Sequence, residues 1–378
     1  MKYYYYLAKG LFLLFFLIYS CGKQTGDNEP NNTIDQASDA VFGEEFSLTI
    51  DPVGDVDWFK VNVKKQGYIR VQTANKVEDI QLEVSFAKYQ EWEDKKEEKL
   101  RGWKPVPDAL FVEEPGDYYL VLKDEWDDAS SKEEFLVKID FLDEFDPTEP
   151  NNSIEEAKLI TLGEQFSAGI YPVGDIDCFK VKAPAQGYIE VAAKNVPDEI
   201  QPEVRFAVYD EWSDPQLKEI RGWGKIPQAC FVPDSGEYFI IMHDAWDDEA
   251  IAKAFDLKIN FITEFDQFEP NNSIENAKLI EYDSINDIAI FPKGDLDYFK
   301  FIASSDKIKV SAKGYEGIQP EMELLTADPA NEGKYITELK WTKLPTEIGV
   351  DKEKEYFLVI HDAWDDNASK KLFQLKIE

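Results

Sequence analysis

Alternation of apolar and polar positions dominates this chain. Phe59, Val61 and Val63 are separated by Lys60 and Asn62, a period of two that predicts a strand with one buried face. Gln66-Gly67 then marks a turn, and the alternation resumes over Tyr68-Ile69-Arg70-Val71-Gln72. Gly116-Asp117 introduces Tyr118 to Leu122, an apolar run of strand length, and Gly236 introduces a similar run ending at Met242. Phe135 to Phe141 alternates once more. Helical signals are few. Thr33-Ile34-Asp35-Gln36 and Ser153-Ile154-Glu155-Glu156 have the form of a capping box and predict a short helix or turn after each Pro-Asn-Asn. Short strands in series, divided by turn residues, predict an antiparallel sandwich.

The pattern is written three times. Glu29-Pro30-Asn31-Asn32-Thr33-Ile34 returns as Glu149-Pro150-Asn151-Asn152-Ser153-Ile154 and Glu269-Pro270-Asn271-Asn272-Ser273-Ile274, at a spacing of 120 residues. Gly54-Asp55-Val56-Asp57-Trp58-Phe59 returns at the same spacing as Gly174 to Phe179 and Gly294 to Phe299. Asp124-Glu125-Trp126-Asp127-Asp128 returns as Asp244 to Asp248, then two residues early as Asp362 to Asp366, so the third copy carries a short deletion. A unit of this length is a whole domain rather than a solenoid repeat. The expected fold is all-β, with three tandem antiparallel, jelly-roll-like β-sandwich domains over residues 29–144, 145–264 and 265–378.

The first 20 residues read as an export signal. Lys2 and Lys9 precede the apolar run Leu11 to Tyr19, which is short for a membrane span. Ile18-Tyr19-Ser20-Cys21-Gly22 resembles the lipobox of bacterial lipoproteins, in which the cysteine is lipidated and becomes the first residue. The resemblance implies a signal peptide over 1–20, a lipidated Cys21, and a short tether over 21–28. Gly22 rather than Asp after the cysteine points, by the same resemblance, to the outer membrane of the cell envelope, on its periplasmic or its surface side. An ordinary signal peptide with an incidental Cys21 is the alternative.

The order Glu-Pro-Asn-Asn-Ser/Thr, Gly-Asp-x-Asp-aromatic-Phe and Gly-x-Tyr before a late strand resembles the bacterial pre-peptidase C-terminal (PPC) domain family. The resemblance spans all three units. It departs in the third, where Lys354-Glu355-Tyr356 lacks the glycine, and no peptidase domain accompanies the repeats. The family implies a β-sandwich appended to secreted bacterial proteins, including the collagen-binding modules of clostridial collagenases. Those relatives bind calcium through the first two motifs. Carried over, the ligands are Glu29, Asn31, Asn32, Asp55 and Asp57; Glu149, Asn151, Asn152, Asp175 and Asp177; and Glu269, Asn271, Asn272, Asp295 and Asp297. Asp27 is a candidate extra ligand in the first copy, where Pro147 and Gln267 stand later. Asp and Asn also satisfy turn backbone without any metal, and that reading stays open.

Composition narrows the function. Lys plus Arg is 41 and Asp plus Glu is 76, a net charge of −35. Such a polyanion repels phosphate backbones, which excludes nucleic acid as a partner, and it favours cations. Two histidines and three cysteines are too few for Cys/His zinc sites. No Gly-x-Ser-x-Gly, His-Glu-x-x-His or phosphate-cradling loop occurs, so no enzyme is expected. The acidic Asp-x-Trp-Asp-Asp loops offer either a second cation site or a solvated loop. Their Trp126, Trp246 and Trp364 are candidate ligand contacts, whereas Trp103, Trp223 and Trp341 read as core. Cys178 and Cys230, both in the second unit, are either a disulfide across neighbouring strands or two buried thiols. The expectation is a non-catalytic, lipid-anchored binding, adhesion or scaffold protein, calcium-responsive, whose partner is an extracellular protein or polysaccharide. The alternative is metal-independent carbohydrate binding through the Trp loops.

Overall fold

The computed structural model describes residues 29–92, 95–213 and 216–378. The leader, Cys21, the tether and Asp27 lie outside them. No helix among the described residues is long and apolar enough to cross a membrane. The chain divides into two compact units, residues 1–143 and 144–378. The first unit holds one sandwich and the second holds two.

The first sandwich has nine strands: β1 (Ser38–Asp39), β2 (Glu45–Ile50), β3 (Val56–Val63), β4 (Gly67–Thr73), β5 (Leu82–Trp92), β6 (Lys95–Pro105), β7 (Asp108–Val112), β8 (Gly116–Asp124) and β9 (Ser131–Leu142). One sheet has the order β1-β3-β8-β5-β6, the other β2-β9-β4-β7. All neighbours are antiparallel except β1, a two-residue edge strand parallel to β3. Apart from the β5–β6 hairpin, successive strands therefore alternate between the two sheets, which is a jelly roll. The same orders return between Lys158 and Ile262 and between Lys278 and Ile377.

Alternation builds each core. Along β2, Phe46, Leu48 and Ile50 point inward while Ser47 and Thr49 are half-exposed. They meet Phe59, Val61, Phe86 and Leu120 from the facing sheet. Cores of the same kind form around Phe179, Phe206 and Ile240, and around Phe299, Leu324 and Leu358.

The capping-box segments stay short. Ile34–Gln36 and Ile274–Asn276 are single 3-10 turns, and the second copy is a plain turn there. Ala37 and Ala277 already have extended ψ angles of 130° and 126°, because an edge strand starts at the next residue. The two cysteines are separate buried free thiols. Cys178 lies on strand Asp177–Ala183 of the five-stranded sheet, among Ala207, Phe239 and Ile241, outside the main core. Cys230 lies on Gln228–Val232 of the four-stranded sheet and faces the main core. They sit on different sheets and in different clusters, not across neighbouring strands. Burial pushes both thiols up to about 12, which keeps them protonated and unreactive.

Candidate cation centre

Each Glu-Pro-Asn-Asn loop is fastened to the start of the Asp-x-Asp strand. The carbonyls of Asn31, Asn151 and Asn271 accept the N–H of Trp58, Cys178 and Tyr298 at 2.9, 2.7 and 2.8 Å. This bond puts the first Asn against the second Asp. Asn31 Nδ2 donates to Asp57 Oδ1 at 2.7 Å, Asn151 to Asp177 at 2.7 Å, and Asn271 to Asp297 at 2.8 Å. All six residues are 0% exposed.

The amide side of each Asn is thus satisfied and its oxygen is not. Oδ1 of Asn31, Asn151 and Asn271 has no hydrogen-bond donor, and neither has Oδ2 of Asp177 or Asp297. Buried acceptors are almost always satisfied, so the same bare oxygens in successive copies mark a place that a donor or a cation would fill.

The remaining carboxylates converge on these oxygens. Ligand oxygens of Glu29, Asp55 and Asp57 lie within 4.8 Å of one another, as do those of Glu269, Asp295 and Asp297. In the second copy Asp175, Asp146 and Glu149 act electrostatically on Asp177. The first Asp of each pair is held by its own turn. The N–H of Asp51, Tyr171 and Phe291 donates to Asp55, Asp175 and Asp295 Oδ2 at 3.1, 2.9 and 3.0 Å. Glu29, Glu149 and Glu269 each accept the N–H of the Asn two residues on.

Burial, then mutual repulsion, pushes Asp175, Asp177, Asp295 and Asp297 well above the usual carboxylate range. Burial first also raises Glu269, to about 7. No ion pair among the described residues joins a Lys, Arg or His to these five carboxylates. The arrangement is a buried cluster of carboxyl and amide oxygens with no cationic side chain paired to it, in which the ionised form is disfavoured. Oxygen donors alone, from carboxylate and amide groups, suit a hard divalent cation rather than zinc or copper.

The second Asn of each motif behaves differently. Asn152 and Asn272 are exposed and turn their N–H₂ to Glu149 Oε2 (3.2 Å) and Asp295 Oδ1 (2.8 Å). They orient carboxylates instead of offering an oxygen. Two further carboxylates join the centre. Asp146 and Asp266, each 3% exposed, accept the backbone N–H of Gly169 and Ala289 at 2.6 and 2.8 Å and act on Asp177 and Asp297. The legible signal was Phe-Asp three residues before the Glu of the motif in both later copies.

The Asp-x-Trp-Asp-Asp loops do not form a second such centre. Asp124, Asp244 and Asp362 are buried and accept the N–H of Gln81, Gln201 and Gln319 at 3.1, 2.7 and 2.7 Å. Asp127, Asp247 and Asp365 take positive φ and pair with Lys123, His243 and His361. Their acid groups are turn and ion-pair chemistry. Trp126, Trp246 and Trp364 are 66%, 71% and 73% exposed. The expected core role of Trp223 and Trp341 is corrected: they are about two-fifths exposed and lie tilted against His243 and His361 at 3.9 Å. Trp103 is half-buried under Lys123 and packs against the small apolar cluster of Ile34, Trp58, Ala87 and Val121.

The fold and this centre define a class: tandem jelly rolls, each with an oxygen-only acidic centre at the start of one strand. No family profile matches the chain, and no curated protein matches it. Among solved structures, the chain is similar to the CUB1-EGF-CUB2 domains of human MASP-1/3, at 10% identity over 57% of this chain and 98% of that one, with a TM-score of 0.18. An allantoicase is similar at 12% identity over 56% and 81%, with a TM-score of 0.18. The CBM32-1, CBM32-2 and M60 domains of Clostridium perfringens ZmpB are similar at 12% over 93% and 56%, with a TM-score of 0.16.

Proposed function

We propose that this chain is a non-catalytic binding and scaffold protein of the bacterial cell envelope, built from three calcium-binding jelly rolls. The observation that carries the reading is the repeated buried Asn–Asp pair with bare oxygens among carboxylates. Calcium accepts six to eight such oxygens at about 2.3–2.6 Å and tolerates irregular geometry. Asn31, Asp55 and Asp57 would hold it in the first copy with Glu29; Asn151, Asp175, Asp177, Asp146 and Glu149 in the second; Asn271, Asp295, Asp297, Asp266 and Glu269 in the third. The resemblance to the pre-peptidase C-terminal family supports the same assignment. The lipobox-like Ile18 to Cys21 supports a lipid anchor, which would hold the array on the outer membrane without spanning it. Three weak sites in tandem suit a repetitive partner, such as a fibrous protein or a polysaccharide, through avidity.

The test is thermal unfolding of residues 22–378 in EDTA and in millimolar calcium. Ligand at a hundred times its dissociation constant adds about 2.7 kcal/mol per site. A rise of several degrees in calcium is expected, abolished when Asp57, Asp177 and Asp297 become Asn. In EDTA the same variants are at least as stable as the parent, since each loses a buried charge. Equal midpoints with and without calcium would contradict the reading.

One observation favours a second reading. Three aligned tryptophans, exposed beside acids and amides, are suited to stacking on sugar rings. Glycan binding that survives EDTA and disappears when Trp126, Trp246 and Trp364 become Ala would establish it.

A further inference from the structure

The third cation centre is finished by a residue of the second repeat. Tyr188 is 2% exposed, and its hydroxyl donates to Glu269 Oε1 and shares its proton with the Phe291 carbonyl, 2.6 Å away. These acceptors belong to the two limbs of the centre: Glu269 opens the Glu-Pro-Asn-Asn loop, and Phe291 leads into the turn that carries Asp295. A second donor from the same repeat reaches that turn, Arg221 giving an N–H to the Lys293 carbonyl at 2.8 Å.

The surroundings join the two repeats around this point. The Tyr188 ring meets Phe231 and Phe291 edge-on at 5.2 and 4.9 Å, and Phe265 of the connecting segment meets Phe231 at 5.4 Å. Lys370 of the third repeat pairs with Glu190 of the second at 2.9 Å. Asp266, in the connection itself, faces the same centre. A cleft of about 300 Å³ opens between the two repeats, lined by Arg221 and Trp223 on one side and Asn272, Gly294 and Leu296 on the other.

Glu269 is 6% exposed beneath Tyr188 and Glu149 of the second copy is equally buried, whereas Glu29, with no described repeat before it, is exposed. In the third repeat, Lys307-Ile308 stands where the second has Gly187-Tyr188, so no hydroxyl is presented there.

We propose that Tyr188 is a positioning residue supplied by the second repeat to the cation centre of the third, so that cation binding and closure of the junction between these two repeats are thermodynamically coupled. The inference rests on the calcium reading above. Coupling is reciprocal: if the closed junction strengthens cation binding, the cation strengthens the closed junction by the same factor. Calcium would then set the stiffness of this part of the array.

The experiment uses residues 22–378 carrying Asp57→Asn and Asp177→Asn, so that only the third centre remains, titrated with calcium by calorimetry. Tyr188→Phe keeps the ring packing and removes the hydroxyl. Loss of a hydrogen bond to a charged group predicts roughly tenfold weaker calcium binding. Tyr238→Phe removes another buried hydroxyl of the second repeat, one that donates to the Asp234 carbonyl, and leaves the affinity unchanged. Amide hydrogen exchange of residues 264–268 reads the junction: calcium slows it in the parent and not in Tyr188→Phe. Should that variant fail to fold, Arg221→Gln tests the other arm and predicts the same direction. Parent-like calcium affinity in Tyr188→Phe, or exchange at the junction that ignores calcium, overturns the proposal and leaves the calcium reading standing. No calcium bound by the parent overturns both.

Discussion

An asparagine that gives its N–H₂ to an aspartate and keeps its carbonyl bare is the smallest unit of this protein's chemistry. The pair is buried to 0% exposure in every copy, so its polarity is costly unless something answers it. The raised carboxylates around it set a pH dependence. Glu269 titrates near 4.5 unperturbed and is raised to about 7 when folded. The folded chain therefore binds more protons than the unfolded chain between those values, and its stability in EDTA falls as pH rises from about 4.5 to about 7. Calcium requires the ionised form, so in saturating calcium that decline disappears. Urea unfolding at a series of pH values, with and without calcium, checks both. The Asn and Asp positions were readable because their spacing repeats. Whether their oxygens met a donor was not, since that depends on the loop-to-strand bond at Asn31, Asn151 and Asn271, a tertiary contact.

At the scale of strands, burial alternates as the sequence pattern predicts, but sheet partnership does not follow from periodicity. The four-stranded sheet pairs Gly187–Lys194 with Ile251–Ile262 and Gln228–Val232, distant segments that no local signal joins. Cys178 and Cys230 illustrate the consequence: both sit on strands, and topology assigns them to separate sheets. Trp223 and Trp341 illustrate another. They occupy edge strands with one face to solvent, and each lies tilted against a histidine two strands away in the same sheet. Gly187 makes a sharper prediction. A Cβ there would lie 2.4 Å from the Ile262 carbonyl oxygen and 2.7 Å from Phe261 Cζ. Gly187→Ala forces these strands apart and costs about 1–3 kcal/mol, as overpacking does. Chemical denaturation measures it. Gly54→Ala is not an equivalent control, because its φ of 79° is itself strained for alanine.

For the whole molecule, three copies of one jelly roll each carry the same buried Asn–Asp pair at the start of one strand. Asp146 and Asp266 serve the later copies, and Tyr188 closes the third. Neither was visible in the motif as first read, because one lies in the connecting segment and the other in the preceding repeat. A net charge of −35 means that an array of this kind would carry far more anion than one divalent cation per repeat could neutralise. The account turns on whether each repeat holds a hard cation. The most direct measurement is calorimetric titration of metal-free residues 22–378 with calcium. Binding of one calcium per repeat, lost repeat by repeat as Asp57, Asp177 and Asp297 are changed to Asn, is the predicted result. A chain that takes up no calcium at millimolar concentration would contradict it and leave the Asn–Asp pairs as turn structure alone.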